Sequence, residues 1–192
     1  MSDAELDALP EAELRGHRPA DADEASDLEQ MRRFVARHAE PFDRRIAEGH
    51  LTASALVLEP TGRRVLLLHH RKLKRWLQPG GHGEPGEREG ARVALREARE
   101  ETGIDSLALH PSAPRPLDVD VHDIPPHGED GGHQHLDLRY LVVAPADAHP
   151  VCAEHEARDV RWFEWRELPA LALDPGLERA IAKARQLLPP PE

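Results

Sequence analysis

The run LQPGGHGEPGEREGARVALREAREETGI, residues 77–104, constrains this chain more than any other. Its first half is rich in Gly and Pro and reads as a loop of bare backbone. Its second half reads as a helix that ends at Thr102-Gly103-Ile104. On that helix Glu97 and Glu101 are i and i+4, with Glu100 beside them, while Arg88, Arg92, Arg96 and Arg99 follow an adjacent ridge. A solvated helix interleaves opposite charges at this spacing. Here Glu stands above Glu and Arg above Arg, and each like-charged pair costs ~0.2–0.5 kcal/mol. A hard divalent cation, which takes carboxylate oxygens and shares its shell with phosphate oxygens, offsets that repulsion. Gly80 and Gly81 would then bring backbone, and a carbonyl, close to the ion. Taken alone, the helix is equally well explained as a charged surface helix with diagonal Arg–Glu pairs.

The flanks of this run read as strands. TASALVLE and RVLLLHH, joined by the turn PTGR, predict a hairpin before it. SLALH, PLDVDVHDI, LDLRYLVVA and DVRWFEW predict further strands after it, and LERAIAKARQLL an amphipathic closing helix. Upstream, residues 1–27 carry nine acidic residues and read as a partly disordered leader. A helix is expected from an N-cap at Ser26 to about His38, and a short one over 42–48, so that 28–48 form a helical extension. The main domain is expected over 49–187, with a prolyl tail at 188–192. Strands around one central helix, closed by a terminal one, predict an α/β or α+β sandwich.

Charge narrows the function. The net charge of −11 argues against binding a nucleic acid polymer, which needs a broad basic surface. No secretory or membrane-spanning segment is evident, and the single Cys152 fits a reducing compartment, so a cytoplasmic protein with no membrane contact is expected. Residues 60–83 hold six basic residues, among them Arg71 and Lys72, and no acidic one. Such a loop could attract an anionic substrate that the rest of the chain repels, or be a solvated hairpin end. Trp76 reads as packing more readily than as a base-stacking platform. There is no GxxxxGK[ST] motif.

The glycine run and helix resemble the signature of the Nudix hydrolases: Gly, five residues, Glu, seven residues, Arg-Glu, an aliphatic, any residue, Glu-Glu, any residue, Gly, aliphatic. Gly81 and Glu87 have the required spacing, and Arg96-Glu97-Ala98-Arg99-Glu100-Glu101-Thr102-Gly103-Ile104 follow after eight residues instead of seven. We place the extra residue in the loop, because within the helix it would rotate everything upstream by ~100°. Glu87, Glu84 and Glu89 all remain candidates for the box's first carboxylate. The hairpin and DVRWFEWRELPAL extend the likeness over roughly residues 50–172.

The resemblance implies an α/β/α sandwich around a mixed sheet. It also implies an enzyme that hydrolyses a nucleoside diphosphate linked to another moiety, with Mg²⁺ or Mn²⁺ as cofactor. Glu97, Glu100 and Glu101 would bind metal with help from the Gly80 carbonyl, and Arg96 would orient a glutamate. The general base would lie inside the box or on a distant loop, where Glu154 and Glu156 are available. Many members of the family are dimers, so a homodimer is an expectation. The competing reading is a regulatory module of this fold that binds nucleotide without cleaving it; an isomerase ranks lower, for want of its cysteine motif.

HQHLDLRY adds a last candidate set. Alternation puts His133, His135, Asp137 and Arg139 on one face of a strand and Leu136, Leu138 and Tyr140 on the other, packed face. The polar row would either contact substrate, with Arg139 gripping a phosphate and His135 facing the metal helix, or be cross-strand ion pairing. His122, His127, His133 and His135 form the densest histidine group, but lack cysteines at zinc-ligand spacing. Cys152 reads as a buried thiol.

Overall fold

All ten residues from Gly49 to Leu58, the strand β1, are buried, so this strand needs cover on both faces and neighbours on both edges. The computed structural model describes residues 10–126, 131–152 and 157–188. Two helices, α1 (Pro10–Leu14) and α2 (Ala22–Arg37), precede β1. Then come β2 (Arg64–His70), β3 (Trp76–Leu77), β4 (Gly80–His82), α3 (Gly90–Thr102), β5 (Ala108–Leu109), β6 (Asp118–Ile124), β7 (His133–Val143), β8 (Ala157–Glu164) and α4 (Pro175–Leu187).

The sheet is mixed. β1 runs parallel to β7 over ten residue pairs, from Gly49↔Gln134 to Leu58↔Val143. Its other edge is shared, antiparallel, by β4 at Thr52–Ser54 and by β2 at Val57–Leu58. β7 is divided in the same way between β6 and the two-residue β5, and β8 extends the sheet beyond β2. Among the described residues every pairing except β1–β7 is antiparallel.

Alternation along β1 sorts the layers. Leu51, Ala53, Ala55 and Val57 pack with Leu28, Met31, Phe34 and Val35 of α2 and with Val93, Ala94 and Ala98 of α3. Leu56 and Leu58, on the other face, join Leu177 and Ile181 of α4. Helices therefore cover both faces, as the α/β/α expectation required. That second face changes character along the strand, since His50, Thr52 and Ser54 share it with Leu56 and Leu58 and are polar. Among the described residues no helix is long and apolar enough to cross a membrane.

The N-terminal segment differs from its sequence reading. α2 starts at Ala22, where Asp21 accepts a hydrogen bond from Glu24 N at 2.8 Å, so Ser26 lies inside the helix and is not its N-cap. Residues 42–48 form turns, not a helix. From Pro10 onward the acidic leader is docked against the domain. Glu13 of α1 accepts hydrogen bonds from the N–H groups of Gly90 (3.0 Å) and Ala91 (3.3 Å) and from the Tyr140 hydroxyl (2.6 Å). The first turn of α3 has no cap from its own N-cap residue, Glu89. A carboxylate from α1 supplies it, at the helix end where negative charge is favoured. Burial raises the Glu13 pKa above its usual value despite these bonds. At its other end α3 stops at Gly103, whose φ of 66° lets its N–H bond Arg99 O at 2.8 Å.

Candidate active site

The polar stretch of the sheet, the glycine strand β4 and the glutamate helix α3 enclose a groove of about 1420 Å³. β4 lies close to α3 because Gly81 has no side chain. A Cβ there would sit 2.7 Å from the Glu97 carboxylate. Gly80 donates its backbone N–H to Glu101 Oε2 at 2.8 Å, and Glu101 is only 5% exposed. The glycine run thus approaches the carboxylates through the Gly80 N–H and through the space left by the missing side chain of Gly81.

Arg96 organises this edge. Its guanidinium donates to Glu97 Oε1 (2.9 Å), to Glu100 Oε2 (3.2 Å), to both oxygens of Glu87 (3.2 and 2.9 Å) and to the His82 carbonyl (2.7 Å). Of the three loop glutamates, Glu87 is therefore the one that meets Arg96. Glu84 follows the groove wall and gives its N–H to Glu87, and Glu89 pairs with Arg92 at 2.9 Å. Burial pushes the Glu87 pKa up, but the bonds from Arg96 outweigh it and hold the carboxyl below its ordinary value. The helix from Gly90 to Thr102 is continuous.

The opposite wall comes from β6 and β7. Asp137 accepts from Thr52 Oγ1 (3.1 Å), Ser54 Oγ (2.6 Å) and Arg139 Nε (3.2 Å). Arg139 is 4% exposed and also reaches Asp118 at 3.4 Å and Asp120 at 3.0 Å. Its fork is matched by carboxylates of the protein itself, the cross-strand pairing anticipated as the alternative to a phosphate grip. The cluster continues into the helices. Arg179 of α4 bonds Asp118 at 2.8 Å, and Lys183 pairs with Glu24 of α2.

The histidines gather further along this wall. His50 pairs across strands with His135, His135 pairs with His122, and His82 pairs with Thr52, two residues from His50. His82 Nε2 is 3.2 Å from His135 Nε2. Burial, then the nearby His133, lowers the His50 pKa to about 4. Burial, then Arg44 and His50, brings His82 to about 4. Burial and the surrounding imidazoles take His135 to about 2. His122 goes the other way: burial opposes its charge, but Asp120 and Asp137 raise its pKa overall.

Of the residues singled out in the sequence, the structure brings Gly80, Glu84, Arg96, Glu97, Glu100, Glu101, His135 and Arg139 together around one groove, and exposed Arg71 and Lys72 border it too. Arg63 and Arg64 do not join them. Arg64 opens β2 and Arg71 follows its end, so about six strand rises of ~3.3 Å separate the two ends of the basic run. Trp76 is packing, edge-on to Phe163 at 4.7 Å between ring centroids. Cys152 is half-buried, not buried. Glu154, Glu156 and His127 lie outside the described residues. The sequence reading missed His50, His82 and the Thr52–Ser54–Asp137 network. Each depends on register between strands distant in sequence, which no local pattern encodes.

The NUDIX domain family model matches residues 49–184. Among solved structures, a C. elegans Ap4A hydrolase binary complex is 19% identical, with 71% of this chain and 95% of that one covered and a TM-score of 0.55. The E. coli dihydroneopterin triphosphate pyrophosphohydrolase is 20% identical over 69% of this chain and 92% of its own, with a TM-score of 0.55. A NUDIX-family hydrolase from Clostridium perfringens is 24% identical over 72% and 97%, with a TM-score of 0.53. At these identities the likeness establishes the fold. A comparison with curated proteins gives no match.

Proposed function

The chain belongs to the Nudix hydrolase family, and on that footing we propose that it hydrolyses the pyrophosphate bond of a nucleoside diphosphate linked to another moiety, using Mg²⁺ or Mn²⁺. One observation carries the reading: Glu97, Glu100 and Glu101 converge with the glycine strand on the wall of a single groove. The donor set suits a hard cation. It is made of carboxylate oxygens, and the missing Cβ of Gly81 leaves room beside Glu97. When bound, the ion supplies charge neutralisation on the bridging and leaving oxygens of a diphosphate.

The protein's own groups do the rest. Arg96 holds Glu87, Glu97 and Glu100 in one arrangement, so the carboxylates are ordered before substrate arrives. Gly80 N–H fixes one oxygen of Glu101 and so sets the orientation of the carboxylate beside the glycine strand. Arg71 and Lys72 offer positive charge where the phosphates enter, and His135 contributes to the substrate wall. Glu154 and Glu156 remain the proposed sources of a general base. The neighbours named for Ap4A and for dihydroneopterin triphosphate support the bond type without choosing the substrate.

The test is formation of nucleoside monophosphate from a panel of nucleoside diphosphate derivatives with Mg²⁺ or Mn²⁺, comparing wild type with Glu101→Gln. The variant should lose at least ~10²-fold in kcat, about 2.7 kcal/mol of transition-state stabilisation. Near-normal turnover by Glu101→Gln would remove Glu101 from the catalytic machinery, and no turnover by wild type on any member of the panel would leave a nucleotide-binding module in its place.

A further inference from the structure

The histidines of the sheet wall form a second constellation, separate from the glutamates. His50 on β1, and His133 and His135 on β7, each offer one ring nitrogen, and the three atoms lie within 4.8 Å of one another. His82 on β4 closes the group from the other side, its Nε2 3.2 Å from that of His135. The ring centroids of His82, His133 and His135 all lie 4.9–5.1 Å from that of His50. Strand register makes this arrangement, because His50 and His135 are direct cross-strand partners and His82 sits beside Thr52 on the same face.

His50 is the independent sign that something is bound here. It is 2% exposed, yet neither Nδ1 nor Nε2 has a hydrogen-bond partner among the described residues. A buried ring with both nitrogens unmet is costly, and such groups call for an explanation. Arg44 and Asp43 influence the rings from outside with opposite charge.

We propose that His50, His133 and His135, with His82 at the fourth position, bind a transition-metal ion of the zinc class in the groove wall. Neutral imidazole suits Zn²⁺, Co²⁺ or Ni²⁺, whereas Mg²⁺ selects oxygen. The four proposed ligands contain no carboxylate, so this site and the glutamate edge would sort two kinds of metal. A tetrahedral ion with Zn–N bonds of about 2.0 Å spaces its nitrogens ~3.3 Å apart. The His82–His135 pair already has that spacing, and the wider atoms close on the ion by ring rotation. The ion would tie β4, and with it the Gly80–Gly81 strand, to β1 and β7.

The experiment uses the full chain, stripped with a chelator and titrated with Co²⁺ while visible ligand-field absorption is recorded, followed by Zn²⁺ displacement. One equivalent should bind with the spectrum of a nitrogen-rich, four- or five-coordinate site, and Zn²⁺ should raise the Tm. His50→Ala and His133→Ala should each weaken Co²⁺ binding by at least the ~10-fold that loss of even an outer-shell partner costs. Glu101→Gln, which touches only the oxygen site, should leave this nitrogen-rich absorption unchanged. If His50→Ala does not fold, His133→Ala, at the half-buried start of β7, decides alone. The proposal is overturned by the absence of stoichiometric binding, by binding that His133→Ala leaves intact, or by a spectrum that Glu101→Gln abolishes.

Discussion

The glutamate edge and the β6–β7 wall border one groove, yet they are held in opposite ways. The edge belongs to a single helix and one short strand. Its carboxylates are kept together by Arg96, and Glu100 and Arg96 stay partly open to solvent. The wall is assembled from α2, β1, β6, β7 and α4. Its charges are nearly all buried; Asp118, Asp120 and Glu24 each have a base supplied by another element, and Asp137 has Arg139 of its own strand. The difference separates two uses of ionic groups. On the edge, acids of one helix are gathered around a single guanidinium beside an open groove, where the proposed function assigns them a cation. In the wall, opposite charges saturate one another and contribute to the fold. Removing a group from the edge should therefore cost activity, and removing one from the wall should cost the protein.

Arg139→Ala is the most forceful way to break this contrast. It takes from Asp137 its cationic partner and from Asp118 and Asp120 one of theirs, leaving Arg179 to hold those two, and breaking a buried pair in this way costs about 3–5 kcal/mol. Urea denaturation should show a loss of that size, while Glu101→Gln denatures at or above the wild-type midpoint. If Arg139→Ala matched wild-type stability but lost substrate affinity, Arg139 would return to the substrate-binding role that the sequence offered it.

A smaller effect follows from pH. Burial would push the pKa of Glu24 up. Hydrogen bonds from His17 and Lys183 and from the Ala20 N–H outweigh it, so the carboxyl is held well below its ordinary 4.5. A depressed folded pKa contributes stability that is present above the unfolded pKa and lost as pH falls toward the folded one. Wild-type Tm should then decline as pH drops below about 4.5. Glu24→Gln should be less stable at pH 7 and show a shallower decline through the same window. Parallel Tm curves for the two proteins would show that Glu24 does not couple the wall to pH.

What could be read from the sequence follows the same division. α3 and its glutamates were legible because a helix fixes neighbours at i+3 and i+4, so Glu97, Glu100, Glu101 and Arg96 reveal their relation within six residues. The polar face of β7 was legible for a similar reason, alternation along one strand. Which acids would meet Arg139 was not, since Asp118 and Asp120 lie about twenty residues away and reach it only through the β6–β7 register. The buried roles of Glu13 and Glu24 were hidden more completely. Their segment has the composition of a solvated leader, and only the docking of α1 and α2 onto α3 and the wall gives those carboxylates partners. The histidine cluster needed three strand pairings at once.

The basic loop after β2 tests the edge at its mildest. Arg71 and Lys72 are exposed, and both border the groove. They belong to neither the glutamate edge nor the buried wall, so their contribution should be attraction alone. An exposed ion contact is worth ~0.2–1 kcal/mol, and two together should sum to about 1 kcal/mol. The double variant Arg71→Ala/Lys72→Ala should accordingly raise KM roughly fivefold at low ionic strength while kcat stays near wild type, the signature of uniform substrate binding. At about 1 M salt, where the screening length falls to ~3 Å, the two proteins should converge. An unchanged KM at low salt would return the loop to a solvated turn. A fall in kcat would instead place one of these cations against the reacting phosphate.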